Sequence, residues 1–373
     1  MDRIKMVDLQ GQYLKIKEEI DTAISEVLTS TAFIQGPSVE KFASNLKKYV
    51  SCKHVIPCAN GTDALQIAMM SLGFQEGDEV IIPVHTYVAT AEVIALLKLT
   101  PVFVDVYKDS FNIDVSQVES KITKKTVAIV PVHLYGQTAD MEPILEIATR
   151  HRLHVIEDAA QALGAEYTFR DKRKMQAGTM GTIGTTSFFP SKNLGCFGDG
   201  GAIFTNDDQL AERARMIANH GQKEKYRHDI VGVNSRLDTL QAAILNVKLQ
   251  YLRDYTANRN AVADFYDNAL VGSSEITTPV RSQFSTHVFH QYTLQVARRD
   301  ELKKHLEEKG IPTMIYYPIP LHLQKAYRTL HSPEGTFPVT EKLSKTVISL
   351  PIHTEMTQDQ LEFITNEIRA FYQ

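Results

Sequence analysis

The chain has 373 residues, 43% of them apolar and 23% charged, with a formal net charge of −4. That is an ordinary globular balance, with length for one large or two moderate domains. No long basic run is present, which argues against a nucleic-acid partner and supplies no attraction to an anionic membrane.

The three cysteines, Cys52, Cys58 and Cys196, form no CxxC pair and no ligand array, so they read as incidental or buried thiols of a reducing compartment. The opening MDRIKMVDLQ is charged from its second residue, unlike a signal peptide. No apolar run approaches the roughly 18 residues that span a bilayer. The cytoplasm is the expected location, with no membrane partner.

Residues 13–28 place Leu14, Ile16, Ile20, Ala23, Ile24, Val27 and Leu28 at helical spacing. Gly36-Pro37-Ser38 breaks the chain, and Val39, Phe42, Leu46 and Val50 line one face of a second helix. From residue 54 short apolar strands alternate with helices. Strands are expected at 54–58, 79–83, 101–106, 126–132 and 154–158, and helices at 63–72, 87–99, 114–121 and from Pro143 to about 152. Such βαβ rhythm predicts a mostly parallel sheet covered on both faces. Further strands follow at 185–189 and 201–205. Asp207 caps a helix to about 219, and Ser235–Leu252 reads as one long helix that continues past Tyr255. The rhythm then weakens. Val288–Val296 alternates like a half-exposed strand. Asp300 stands as N-cap of a helix ending at Lys309, before Gly310. Thr357-x-x-Gln360 is a capping box for a last helix. The expected organisation is an N-terminal helix and large domain over residues 1–255, then a smaller α/β domain over 256–373.

Ligands of such sheets sit beyond the carboxyl ends of the strands. Asn60-Gly61-Thr62, His85-Thr86-Tyr87, Asp158 and Gln161 all fall there. Metal binding is not supported: there is no HExxH and no Cys/His array, and His151 lies at the far end of the preceding helix. GxGxxG after a first strand and GxxxxGK[ST] are both absent, which removes dinucleotide oxidoreductases and P-loop enzymes. Glu157 beside Asp158 suggests a carboxylate pair, but adjacent strand residues face opposite sides. Cys196, four residues past Lys192, has no paired base in the sequence.

What remains is a strand-end acid, Asp158, followed by Ser187 and by a lysine, Lys192, in front of a glycine-rich turn. A lone loop lysine is ordinarily a solvated charge. With these companions it matches pyridoxal phosphate (PLP) chemistry, in which a lysine amine condenses with the cofactor aldehyde and an acid holds the pyridine nitrogen protonated. Gly61-Thr62 at a helix start offers backbone N–H groups to a phosphate.

Six collinear blocks then carry a resemblance: ANGTDAL (59–65), HTYVATAE (85–92), PVHLYGQ (131–137), EDAAQALGA (157–165), SFFPSKNLGCFGDGGA (187–202) and GVNSRLDTLQAAIL (232–245). The sequence resembles the DegT/DnrJ/EryC1/StrS family of PLP-dependent sugar aminotransferases. The resemblance implies the aspartate-aminotransferase-like fold (fold type I), with a large mostly parallel sheet domain and a smaller C-terminal α/β domain. It implies that Lys192 binds PLP covalently and shuttles the proton, Asp158 holds the pyridine nitrogen, Gln161 bonds the ring hydroxyl and Tyr87 stacks on the ring. Gly61, Thr62 and Ser187 would bind the phosphate. Asn234 would reach the phosphate of a neighbouring subunit, making a homodimer with shared active sites. His220, Arg227, Arg236, Tyr317 and His322 would lie near the substrate.

Sugar 3-dehydrases of the family replace the lysine by histidine and hold an iron–sulfur cluster; neither fits here. Transamination from L-glutamate to a nucleotide-linked keto sugar is therefore implied. Within the family, HGQKEKYRHDIVGVNSRLD and YYPIPLHLQKAY, among other blocks, are most similar to the subgroup that aminates UDP-2-acetamido-2-deoxy-3-oxo-glucuronate for surface polysaccharides such as lipopolysaccharide O-antigen. Arg227 or Arg236 would meet the uronate carboxylate. The same blocks occur in enzymes of dTDP-linked 3-keto- and 4-keto-6-deoxy sugars. A non-catalytic binder of PLP or sugar nucleotide, and a different PLP reaction, are the other readings.

Overall fold

The computed structural model describes residues 3–330 and 332–373. The alternating segments become β1 (His54–Cys58), β2 (Glu79–Pro83), β3 (Thr100–Val104), β4 (Thr126–Ile129) and β5 (His154–Asp158). A small hairpin of β6 (Glu166–Thr168) and β7 (Lys174–Gln176) follows, then β8 (Ile183–Ser187) and β9 (Gly201–Thr205). Seven of these form one sheet in the order β1-β9-β8-β5-β4-β2-β3. Only β9 runs against the rest. The sheet strands are apolar on both faces because helices cover both, and β2 and β9 are buried almost throughout.

Helix Gly61–Leu72 packs Leu65, Ile67, Ala68 and Met69 onto one face of the sheet. Helix Met141–His151 brings Ile144 and Ile147 to the other, against Ile81, Ile129 and Val155. Helix Pro37–Val50 buries Phe42, Leu46 and Val50, the stripe read from the sequence.

The second core is built on an antiparallel sheet of β12 (Ile276–Thr277), β13 (Tyr292–Val296) and β14 (Val347–Leu350), after a short exposed hairpin of β10 (Gln222–Glu224) and β11 (Arg227–His228). Helix Gln358–Tyr372 closes it, with the expected capping box between Thr357 and Gln360. Helix Leu252–Leu270 joins the two cores: Leu252 packs in the large domain, while Val262, Tyr266 and Leu270 pack in the small one. Ile4 also enters the small-domain core.

Several elements differ from expectation. The first helix is two, Leu9–Lys15 and Lys17–Ser30, broken at Ile16, whose buried side chain packs with Ile20, Ile244 and Val247. The long helix starts at Thr239, not Ser235, and is interrupted at Tyr251. Strand β13 covers only the second half of 288–296 and is buried on both faces; Thr293 tolerates this because its hydroxyl bonds that of Ser349 at 2.8 Å. Asp300 is not a cap. The cap position falls to Arg298 in the left-handed region, and Asp300 occupies the first turn, where its carboxylate meets Arg299.

Candidate active site

The carboxyl ends of β1, β2, β5 and β8 surround a cavity of about 450 Å³. Asn60, Gly61, Thr62, Thr86, Tyr87, Asp158, Gln161, Ser187, Lys192 and Tyr317 all line it. Residues scattered over more than half the chain thus converge on one crevice, as expected of a parallel sheet.

Asp158 ends β5 and is 6% exposed. Its Oδ2 accepts from Thr90 Oγ1 at 2.8 Å and its Oδ1 from the Ala160 N–H at 3.1 Å. No cation among the described residues is within ion-pair distance of this buried carboxylate, so the site is set up to receive one. Glu157 points to the opposite face. Its carboxylate accepts from His133 Nε2 at 2.9 Å and from the Gly178, Met180 and Gly181 N–H groups. His133 Nδ1 accepts from the Ala139 N–H, so Nε2 carries the proton. Glu157 thus fastens the loop that enters β8, and strand alternation separates the two carboxylates as read.

Lys192 sits in a loop closed on itself. Its N–H donates to Phe189 O at 2.8 Å, and Cys196 N–H donates to Phe188 O at 2.9 Å. Dehydration pushes the Lys192 ammonium down to about 8, with the Asp158 charge opposing. An amine so shifted is partly neutral, and so nucleophilic, near neutral pH. Cys196 is a buried thiol donating to Phe188 O, pushed up to about 11 by burial, which agrees with its dismissal as a nucleophile.

The helix Gly61–Leu72 opens at the cavity, with Asn60 Oδ1 accepting from the Asp63 N–H at 2.8 Å. Its first N–H groups have no partner within the helix. Two glycines allow this approach: a Cβ on Gly61 would lie 2.7 Å from Ser187 Cβ, and one on Gly201 would lie 2.3 Å from Asn60 O. Ser187 Oγ accepts from the Phe189 N–H.

Gln161 is fixed from two sides. Its Oε1 accepts from the Tyr135 N–H at 2.8 Å, and its Nε2 donates to Tyr317 Oη at 3.2 Å. Tyr135 donates its O–H to Tyr316 O and accepts from His85 Nε2, which burial keeps neutral. Tyr87 is 57% exposed at the rim, its ring 6.1 Å from that of Tyr317.

Four residues expected near substrate or cofactor do not line this cavity. His220 and Asn234 lie in an exposed arm, bridged through Asn219 and Val233. Arg227 pairs with Glu224 on the exposed hairpin. Arg236 lines a separate groove with Asn219 and Glu212. A fifth, His322, also lies outside the lining: it is 3% exposed and bonded to Glu341 at 3.0 Å. Sequence reasoning also missed residues. Thr90 stood in the HTYVATAE block, one helical turn past Tyr87. His290, inside the segment 288–296 read only as a half-exposed strand, lines the cavity with an unpartnered, buried Nδ1. No local pattern announced it.

The lining fits one cofactor. An uncompensated carboxylate suits a pyridinium N–H, a dehydrated amine suits an aldehyde, and a helix start suits a phosphate. Thr86 adds a buried, unpartnered hydroxyl on the same wall. These are the requirements of a pyridoxal phosphate enzyme.

Comparison with known proteins agrees. The model of the DegT/DnrJ/EryC1/StrS aminotransferase family matches residues 14–369, and the chain belongs to that family. It is 48% identical to the pleiotropic regulatory protein of Geobacillus stearothermophilus, over 99% of this chain and 98% of that one. It is 47% identical to a UDP-2-acetamido-2-deoxy-3-oxo-D-glucuronate aminotransferase of Pseudomonas aeruginosa, over 97% and 98%. It is 42% identical to a dTDP-3-amino-3,4,6-trideoxy-alpha-D-glucose transaminase of Streptomyces venezuelae, over 99% and 96%. The crystal structure of S. venezuelae DesV in complex with a ketimine intermediate superposes with a TM-score of 0.96 at 41% identity, covering 100% of this chain and 99% of that one. The protein is an aminotransferase whose cofactor is pyridoxal phosphate. Among the described residues no helix is long and apolar enough to cross a membrane.

Proposed function

We propose that the protein moves an amino group from L-glutamate to a nucleotide-linked keto sugar, with UDP-2-acetamido-2-deoxy-3-oxo-glucuronate as first-choice acceptor. The observation that carries the reaction class is the meeting of Lys192 and Asp158 in one cavity. The 47% identity to the Pseudomonas aminotransferase supports the acceptor. An acceptor linked to dTDP is the second reading, supported by the 42% identity to the Streptomyces transaminase.

When bound, the cofactor supplies an aldehyde for the amine and an electron-withdrawing ring for the carbanion. Asp158 holds the ring nitrogen protonated, and Thr90 and the Ala160 N–H hold Asp158. Lys192 Nζ would take the proton from the substrate Cα as base and deliver it to the cofactor carbon as acid, which its lowered basicity permits. Gly61, Thr62 and Ser187 would bind its phosphate, Gln161 its ring hydroxyl, and Tyr87 would stack on the ring.

Glutamate, the uronate and the nucleotide are all anionic, yet the lining of this cavity includes no arginine among the described residues; its basic side chains are Lys192 and His290, and burial keeps the His290 imidazole neutral. The missing charges come from a second copy. The exposure of the arm at Tyr226, Val231 and Asn234 supports this reading, in which the arm would carry His220, Arg227 and Arg236 toward a neighbouring cavity. Polysaccharide-precursor synthesis in the cytoplasm is the setting of this reading.

The test is 2-oxoglutarate release from glutamate with a panel of keto-sugar nucleotides. Amination of the UDP-3-oxo-uronate supports the first choice. Amination of a dTDP-linked 6-deoxy-keto sugar alone overturns it. A cofactor band that glutamate never bleaches overturns glutamate as donor, and one that no amino acid bleaches favours a binding protein.

A further inference from the structure

Lys248 is a second buried lysine that the reaction leaves unused. It lies on helix Thr239–Gln250 and is 2% exposed. No carboxylate among the described residues pairs with it. Its Nζ donates to Gly195 O, and the ammonium lies 5.4 Å from the centre of the Phe197 ring. A buried cation without a counter-ion is costly, so its place calls for a reason. Burial lowers its ammonium to about 8.

Gly195 belongs to the loop of Lys192. The loop closes through the Lys192 N–H to Phe189 O and the Cys196 N–H to Phe188 O. It is so tight that a Cβ on Gly195 would lie 2.2 Å from Pro190 O. Side-chain bonds tie it to its surroundings, one of them at its exit, where Gln241 Oε1 accepts from the Phe197 N–H at 2.8 Å. Asn193 Nδ2 donates to Val288 O at 2.7 Å, and Lys248 holds the Gly195 carbonyl. Among the described residues no donor other than Lys248 bonds that carbonyl. Without it the loop can relax outward, and Lys192 Nζ with it.

From the Nζ–Gly195 contact and the closed loop, we infer that Lys248 is a positioning residue, which holds Lys192 at the attack geometry by clamping the loop three residues beyond it. The inference rests on the reading of Lys192 as the cofactor-binding amine. Lys248 itself touches neither cofactor nor substrate.

The test uses full-length apoenzyme and holoenzyme of wild type, K248M and K248R. Two rates are read: capture of PLP by the apoenzyme, followed by absorbance and fixed with borohydride on Lys192, and steady-state turnover. For K248M both capture and kcat fall about tenfold, the scale of a modest misplacement of a reacting group. KM for both substrates stays within about twofold, and the melting temperature of the holoenzyme shows a folded protein. K248R, which keeps a long donor, recovers most of the loss. A K248M capture rate equal to wild type overturns the inference, as does a K248R enzyme as slow as K248M. If K248M does not fold, K248Q is read instead; its shorter chain stops short of Gly195, and a wild-type capture rate there overturns the inference. Failure of wild type to carry the label on Lys192 is a different outcome, and sinks the underlying role of Lys192.

Discussion

The floor of the cavity and the arm at 220–236 are built on opposite principles. The floor is dehydrated and fully fastened: Asp158 has two donors, Gln161 two partners, and the Lys192 loop closes on itself. The arm is exposed and loosely tied, with Tyr226 and Val231 80% and 85% exposed and Arg227 paired to Glu224 on the surface. Chemistry needs groups held in fixed geometry, so the reacting residues sit where strand ends allow no freedom. Substrate choice and subunit contact need reach, and surface segments supply it.

That contrast can be broken most sharply at Lys192. Lys192→Ala should lower turnover by at least about 10³-fold, the upper range for losing a general acid–base group that is also the nucleophile. PLP should still bind through Asp158 and the phosphate contacts, as equilibrium dialysis will show; near-wild-type turnover ends the role. Asp158→Asn keeps the shape but loses the charge, and kcat should fall about 10²- to 10³-fold. An arm variant that matched either loss would erase the distinction between the two regions.

Smaller effects sharpen it. Gly201→Ala forces a Cβ toward Asn60 O, at 2.3 Å in the present backbone. It should cost about 1–3 kcal/mol and weaken PLP binding, read as a lower melting temperature and a higher Kd. Asn234→Ala should raise the PLP Kd about tenfold, the worth of one hydrogen bond to a charged group, with kcat at saturating PLP nearly unchanged. An unchanged Kd would remove Asn234 from the phosphate site. The Lys192 ammonium, lowered to about 8, releases its proton as pH rises. Capture of PLP by the apoenzyme should therefore be slow near pH 6, climb through pH 8 and level off above it. A midpoint near the ordinary lysine value of about 10.4 would mean the amine is not dehydrated.

The legible parts were those governed by local rules. Strands β1 to β5 and the stripe Phe42, Leu46, Val50 follow from apolar runs and helical spacing, and the Thr357 cap from two residues three apart. The misread parts were decided by neighbours distant in sequence. Alternation in 288–296 suggested a half-exposed strand, but Ser349 satisfies Thr293 and permits full burial. Asp300 had a cap's chemistry, yet the backbone turned at Arg298 instead.

The sequence by itself determined the reaction class: Lys192, Asp158 and the blocks around them carry chemistry that few residue types can perform. It also determined the alternation of strands and helices, because burial on both faces of a sheet writes itself as apolar runs. Only the tertiary structure decided what surrounds those residues. The Thr90 bond to Asp158, the tether of Gln161 to Tyr135 and Tyr317, His290 on the cavity wall and Lys248 behind the Lys192 loop all join segments far apart in the chain. Hydrogen bonds and dehydration depend on distance in space, and no spacing along the chain records it.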